Sequence, residues 1–245
     1  MRPSVDDRLA MRVRPEGSPV MYQSWGDLLF LHWQVPVETL RRRVPARLEV
    51  DEHEGRAFVG VTPFTLWGVR PIFTPPVPFL SEFREVNVRT YVHLDGEPGV
   101  WFFSLDADSA AAVAAARAFY RLPYFSARIE RERVGDRTRY AATRDDPQGR
   151  PAEFEAVWTT GAEQPEAEPG TLDFFLTERY CLYSADGDKL YRARIHHRPW
   201  PLRDVKLGPF RSKMVEAAGL GKTAGEPLTL HGGPVDVEVW PLEEV

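Results

Sequence analysis

Apolar positions in this chain recur chiefly at every second residue, in short runs cut by proline, glycine and Asp-Gly pairs, a spacing that predicts strands. Such runs fall at 28–35, 48–51, 56–66, 83–92, 99–105, 128–134, 137–143, 154–160, 179–184, 189–197, 228–231 and 235–240. Gly55, Asp95-Gly96, Gly135-Asp136 and residues 185–188 supply turns that tie neighbours into hairpins, the first joining 48–51 to 56–66. Helical signals are fewer. Residues 37–44 follow Pro36, with Glu38 in the first turn and Arg41 to Arg43 in the last, matching the helix dipole at both ends. The alanine-rich stretch 110–120 is capped by Asp108 or Ser109 and stopped by Pro123, and 172–177 and 210–218 read as two more short helices. Residues 1–20 carry charge without period and read as a tail or strap laid over one body, 21–245. With neither repeat nor linker, the pattern predicts a single α+β domain: a mainly antiparallel, barrel-like or double-layered sheet with two to four short helices.

One strand carries more information than the others. Along Phe-Arg-Glu-Val-Asn-Val-Arg-Thr-Tyr-Val at 83–92, Val86, Val88, Thr90 and Val92 share one face, and Glu85, Asn87, Arg89 and Tyr91 share the other. The first face is made for packing. The second is either an ordinary solvated strand face or, turned inward in a cupped sheet, the lining of a pocket for a small anionic or carbonyl ligand. Pattern alone leaves both open.

Composition narrows the chemistry. A net charge of −5 gives no electrostatic reason to expect a nucleic acid or an anionic membrane as partner. No run approaches the roughly 20 apolar residues of a membrane helix, and Arg2, Asp6, Asp7, Arg8, Arg12 and Arg14 break up any leader, so the expected location is cytoplasmic. The single cysteine, Cys181, excludes an internal disulfide and reads as a buried thiol. Only four of the 31 basic residues are lysines, Lys189, Lys206, Lys213 and Lys222, so the first 188 residues offer no amine for a Schiff base. No phosphate loop, metalloprotease helix or nucleophile elbow is present, and neither cofactor nor metal is expected. His196 and His197 face opposite sides of a strand, and Asp106 and Asp108 read as loop or capping acids rather than metal ligands. The proline-stiffened apolar loop 69–80 should cover a pocket mouth or a partner subunit.

Six segments taken in order, His-Trp-Gln-Val-Pro at 32–36, 83–92, Gly-Val-Trp-Phe-Phe-Ser-Leu-Asp at 99–106, Leu-Pro-Tyr-Phe-Ser-Ala at 122–127, Glu-Arg-Tyr at 178–180 and His-His-Arg-Pro-Trp-Pro-Leu at 196–202, resemble the DUF2071 or YqjF-like family over roughly 21–241. The resemblance implies the acetoacetate decarboxylase-like fold, a cupped antiparallel β-cone with a central pocket. It also implies a loss. In the decarboxylase a Pro-Lys-Lys segment after a helix supplies the Schiff-base lysine; here the helix through Arg117 runs into Pro123-Tyr124-Phe125, and a phenol forms no imine. Glu85 matches a glutamate of the decarboxylase.

Two functions follow as expectations. In the first, an enzyme acts on a small organic acid or carbonyl compound, with Glu85 as acid or base, Tyr124 donating to a carbonyl oxygen, and Arg89 or Arg117 holding a carboxylate. In the second, a binding or sensing module keeps the pocket without chemistry, with Trp101 and Phe103 as aromatic walls and 69–80 as lid. Asn87, Tyr91, His32 and Arg179 are ligand-binding candidates in either case. A homo-oligomer built on the proline-rich loop is a third reading.

Overall fold

The computed structural model describes residues 2–76 and 81–245. Helix α1 (Val5–Arg12) precedes β1 (Met21–Gly26) and β2 (Leu28–Val35), and α2 (Val37–Arg41) leads to β3 (Glu49–Val50), the long β4 (Ala57–Pro71), β5 (Phe83–Leu94) and β6 (Glu97–Ala107). Helix α3 (Ala110–Tyr120) is followed by β7 (Tyr124–Val134), β8 (Arg137–Arg144) and β9 (Glu153–Glu163), then by α4 (Leu172–Thr177) and the hairpin of β10 (Cys181–Asp186) and β11 (Lys189–His196). The chain closes through β12 (Leu202–Ser212), α5 (Met214–Ala217), β13 (Leu228–Gly232), β14 (Val235–Val239) and β15 (Glu243–Glu244).

The α+β sheet is mainly antiparallel, with parallel pairings only of β6 to β7 and to β10 among those described. Its pairings return on themselves twice. One ring runs β1, β14, β11, β10, β6, β5, β4 and back to β1. The other runs β6, β7, β8, β9, β12, β13, β2, β4, β5 and back to β6. Strands β4, β5 and β6 belong to both, so most of this three-stranded wall is covered on both faces. The β5–β6 turn that sets its register is Asp95-Gly96, both at positive φ (52° and 93°), the geometry a two-residue hairpin needs.

The core divides accordingly. Val86, Val88 and Val92 pack with Tyr140, Phe154 and Trp158 on one side of the wall. On the other side lie Phe30, Phe64, Leu105 and Tyr124, continuous with the group of tilted, contacting rings of Phe58, Tyr91 and Phe175. Helix α3 is capped by Ser109, whose Oγ accepts from the Ala112 amide at 3.3 Å, and ends on Arg121 in the left-handed region.

Several elements differ from the pattern reading. There are five helices in the described chain, not two to four. The strand at 48–51 shrinks to β3 and pairs with β5 rather than with β4, because His53 to Arg56 forms only an isolated bridge. The expected helix at 210–218 is a helix only over α5; Phe210 to Ser212 end β12, whose Gly208-Pro209 occupies a bulge against β9. The N-terminal strap contains α1, closed by a reciprocal capping box between Ser4 and Asp7. Of the 69–80 loop, residues 77–80 lie outside the described chain; Val69 to Pro71 end β4, and Phe73 is 93% exposed. No helix among the described residues is long and apolar enough to cross a membrane.

The wall also packs closely where β2 pairs with β4. Gly60 sits opposite His32, and a Cβ there would stand 3.0 Å from His32 Cδ2 and 3.1 Å from Nε2. Gly60→Ala is therefore expected to push the buried imidazole off its partners and to destabilise the protein by about 1–3 kcal/mol, read as a lower urea midpoint with an unchanged m-value.

Candidate functional site

The polar face of β5 is turned into the protein. Glu85 is 1% exposed, Asn87 4% and Tyr91 0%. Such groups are tolerated inside only when partnered, so their contacts decide what the site is. Glu85 Oε2 accepts from the phenol of Tyr124 at 2.6 Å, and Oε1 lies 3.4 Å from Asn87 Nδ2. Tyr124 opens β7, and the parallel pairing of β7 with β6 at Leu105 carries it over the wall to Glu85. Burial raises the Glu85 carboxyl to about 7, against the opposing pull of the Tyr124 and Asn87 hydrogen bonds. Burial and the neighbouring carboxylate push the Tyr124 phenol far up. One partner is missing for each of two adjacent groups: Asn87 Oδ1 and Thr62 Oγ1, which stand opposite each other across β4 and β5, are buried without a hydrogen bond.

The other end of the row is cationic. The Tyr91 phenol donates to the Leu176 carbonyl at 2.6 Å, so the His32 Nε2 at 2.6 Å is the donor to Tyr91. Burial, then Arg89 and Arg179, hold His32 well below its ordinary value, and it is neutral at pH 7. Arg89 Nη2 reaches the Leu176 carbonyl at 3.3 Å, its guanidinium lies 5.4 Å from the Phe30 ring centre and 5.8 Å from that of Tyr91, and its Nε has no partner. Arg179 lies 4.8 Å from the Tyr91 ring and 4.4 Å from that of Phe175. Burial lowers Arg179 to about 10, which leaves it charged at neutral pH.

The fold thus gathers Glu85, Asn87 and Tyr124 at one pole and His32, Arg89, Tyr91 and Arg179 at the other. Arg117 joins neither. Its Nε donates to the Tyr124 carbonyl at 2.7 Å and its Nη2 to Asp146 at 2.6 Å, so it braces the backbone beneath Tyr124 from outside. The aromatic wall is also shifted. Trp101 and Phe103 pack on the valine side, while Phe102 faces the polar row, since β6 and β5 slip register between Val88 and Arg89. Sequence reasoning missed Thr62 and the buried ion pairs. Asp106 is held bidentately by Arg144 at 2.6 and 2.7 Å, and Asp51 by Arg8 at 2.6 and 2.8 Å. The Ser-x-x-Asp capping pattern at residues 4–7 was the available signal for the helix that brings Arg8 in. Cys181 is buried and pushed up to about 12, an unreactive thiol. An open groove of about 880 Å³ runs along β1 and β14 past Arg70 and His196, but its carboxylates are paired, Glu238 with Arg14 and Asp236 with Ser24.

Comparison with known proteins places this geometry. Residues 22–236 match the family DUF2071, described as an uncharacterized conserved protein. The chain is 40% identical over 230 residues to the uncharacterized protein YqjF of Bacillus subtilis (strain 168), covering 94% of each. Among solved structures it is similar to the enduracididine biosynthesis enzyme MppR complexed with pyruvate (TM-score 0.65, 15% identity, 95% of this chain and 93% of that one). It is similar as well to acetoacetate decarboxylase from Legionella pneumophila (TM-score 0.62, 12% identity, 100% and 96%). At those identities the likeness is one of fold.

The raised Glu85 makes stability depend on pH with a definite sign. Its folded value of about 7 lies above the ordinary 4.5, so the folded state binds that proton more tightly. The contribution is intact below pH 4.5 and is lost as pH rises through 7, at a cost of about 3 kcal/mol. Glu85→Gln, which cannot ionise, should match the wild type in urea unfolding at pH 4 and exceed it by about 2–3 kcal/mol at pH 8. Equal differences at the two pH values would mean the carboxyl is not desolvated.

Proposed function

Because the chain belongs to the DUF2071 family and has the acetoacetate decarboxylase-like fold, we propose that it binds a small carboxylate or carbonyl compound inside the sheet and moves a proton on it through Glu85, without an imine. The observation that carries this reading is the Glu85–Tyr124 pair: a carboxyl near 7, shielded from water and in a 2.6 Å hydrogen bond. A base poised near the working pH combines a populated ionised form with a strong tendency to accept a proton. The nearby Asn87 Oδ1 and Thr62 Oγ1, buried and unpartnered, are polar groups that a ligand would satisfy. A neighbour of the same fold was solved with pyruvate, a ligand of the proposed class.

The proton accounting is simple. Ionised Glu85 accepts from the Tyr124 hydroxyl. When Glu85 takes a proton from the carbon beside a ligand carbonyl, the C–H electrons become those of an enolate. The protonated carboxyl no longer needs a donor, so the Tyr124 hydroxyl turns to the enolate oxygen and steadies its charge. Returning the proton restores both groups. Arg89 stands four residues along β5, about 13 Å by strand rise between α-carbons, and has no carboxylate within ion-pair distance among the described residues, which suits it to hold the carboxylate end of a ligand. Arg117 acts here only by fixing the Tyr124 backbone.

A second reading, retention of the same ligand without turnover, is favoured by one observation. All four lysines are exposed, so the interior holds no amine to serve as electron sink. Deuterium exchange decides between the two. Pyruvate and acetone incubated with the protein in D₂O should lose their methyl proton signals in NMR spectra, at a rate that rises with pH through about 7 as Glu85 ionises. Glu85→Gln should fall to the background rate. Tyr124→Phe removes a hydrogen bond that favours the carboxylate and should move the midpoint upward by about one pH unit. Binding without exchange selects the retention reading, and binding of neither compound overturns the interior site.

A further inference from the structure

The cationic pole is not electrically balanced, and its imbalance is set from the N-terminus. Three guanidiniums crowd the rings of Tyr91 and Phe175: Arg89, Arg179 and Arg8, the last 5.1 Å from the Phe175 centre. Among the described residues one carboxylate, Asp51, lies within ion-pair distance of any of them. Arg8 engages it with both arms at 2.6 and 2.8 Å. Arg179 lies 3.2 Å away without an aligned hydrogen bond, and its Nε has no partner at all. Arg179 and Asp51 are almost wholly buried, and Arg8 nearly so. The histidines here add no further positive charge, since burial lowers His32, His53 and His93 toward the neutral form. Three positive charges against one carboxylate leave an excess on buried Arg179 and half-buried Arg89, which is costly unless an anion joins them.

Helix α1 is docked firmly enough to control this. Met11 is buried, its carbonyl accepts from Arg194 at 2.8 Å, and Arg12 pairs with Glu166 and lies 3.9 Å from Glu178. Were Arg8 withdrawn, Asp51 would be free to neutralise Arg179.

We propose that α1 is part of the ligand site: by taking the larger share of Asp51, Arg8 leaves Arg89 and Arg179 with an excess of positive charge that selects a carboxylate-bearing ligand over its uncharged analogue. This rests on the interior-site reading above and adds the ligand's charge and the residues that enforce it. Arg8 and Asp51 are positioning residues, acting through Arg179.

The test is a charge cycle in the full-length protein. Pyruvate and, as the uncharged probe, acetone are titrated by calorimetry into the wild type, Arg8→Met, Asp51→Asn and the double variant. Arg8→Met should weaken pyruvate binding about tenfold, the scale expected of one partly screened charge. Asp51→Asn should tighten it severalfold, and the double variant, whose net charge at the pole is that of the wild type, should return to near wild-type affinity. Acetone should follow none of these changes. Additive losses, with the double variant weaker than Arg8→Met, would assign both residues a merely structural role and overturn the proposal. So would an Arg8→Met affinity equal to the wild type's. If Arg8→Met does not fold, Asp51→Asn decides alone, tightening in favour and weakening against. A wild type that binds acetone but not pyruvate overturns the anion assignment and spares the interior site. One that binds neither overturns both.

Discussion

The structure depends on burying a strand from both sides. In an ordinary antiparallel sheet one face of β5 would meet water, and a row of Glu, Asn, Arg and Tyr would need no explanation. Here β4, β5 and β6 are shared by two closed rings of strands, so the face opposite the valines is also interior. Desolvation then does the rest. It lifts Glu85 to about 7, and it makes every unmet hydrogen bond on that face costly. The chemistry proposed for Glu85 is thus a consequence of topology, since neither the residue type nor its hydrogen bonds would raise its pKa; Tyr124 and Asn87 pull the other way.

The same constraint acts oppositely at the other end of the row. Burial disfavours the charged form of His32 and Arg179 alike, but an imidazole gives up its proton and a guanidinium does not. The interior therefore settles with neutral histidine and charged arginine, stacked on aromatic faces that supply part of the lost hydration. Neutral His32 is able to donate through Nε2 to Tyr91, which passes its own hydrogen bond to Leu176 at the end of α4. That chain ties the second ring's β2 to the wall and to α4. It also explains why Gly60 must stay small, since the ring that would be displaced is the first link.

What the sequence made legible was phase, and what it hid was environment. Alternation at 83–92 gave the two faces of β5 correctly, because the period of a strand is a local property. It could not say that both faces were interior, which follows from β1 meeting β14 and β6 meeting β10, pairings between segments far apart in the chain. Trp101-Phe102-Phe103 was opaque for a related reason: three aromatics in a row suit either face, and a register slip against β5 decided for Phe102. Tyr124 was found through family resemblance, with no local signal of its own. Asp51 with Arg8 and Arg179 had none either, since the three come from a helix, a loop after a two-residue strand and the end of α4. At 210–218 a helix was expected, whereas Phe210 to Ser212 continue β12 past a bulge at Gly208-Pro209.

The proposed site offers a phenol and no interior amine, which sets the kind of catalysis it could support. An imine draws electrons from a bond that is breaking; a phenol can only hydrogen-bond to the oxygen that receives them. The barrier it can lower is correspondingly smaller, suited to removing a proton beside a carbonyl and ill suited to expelling carbon dioxide. Such a site gains most from holding its ligand in one orientation, because positioning then has to supply what covalent activation does not. An anion anchored at Arg89 and Arg179, one strand span from Glu85, would give that orientation. On this view the buried positive charge around Asp51 is no residue of a lost decarboxylase but the feature that lets a weaker acid–base pair work.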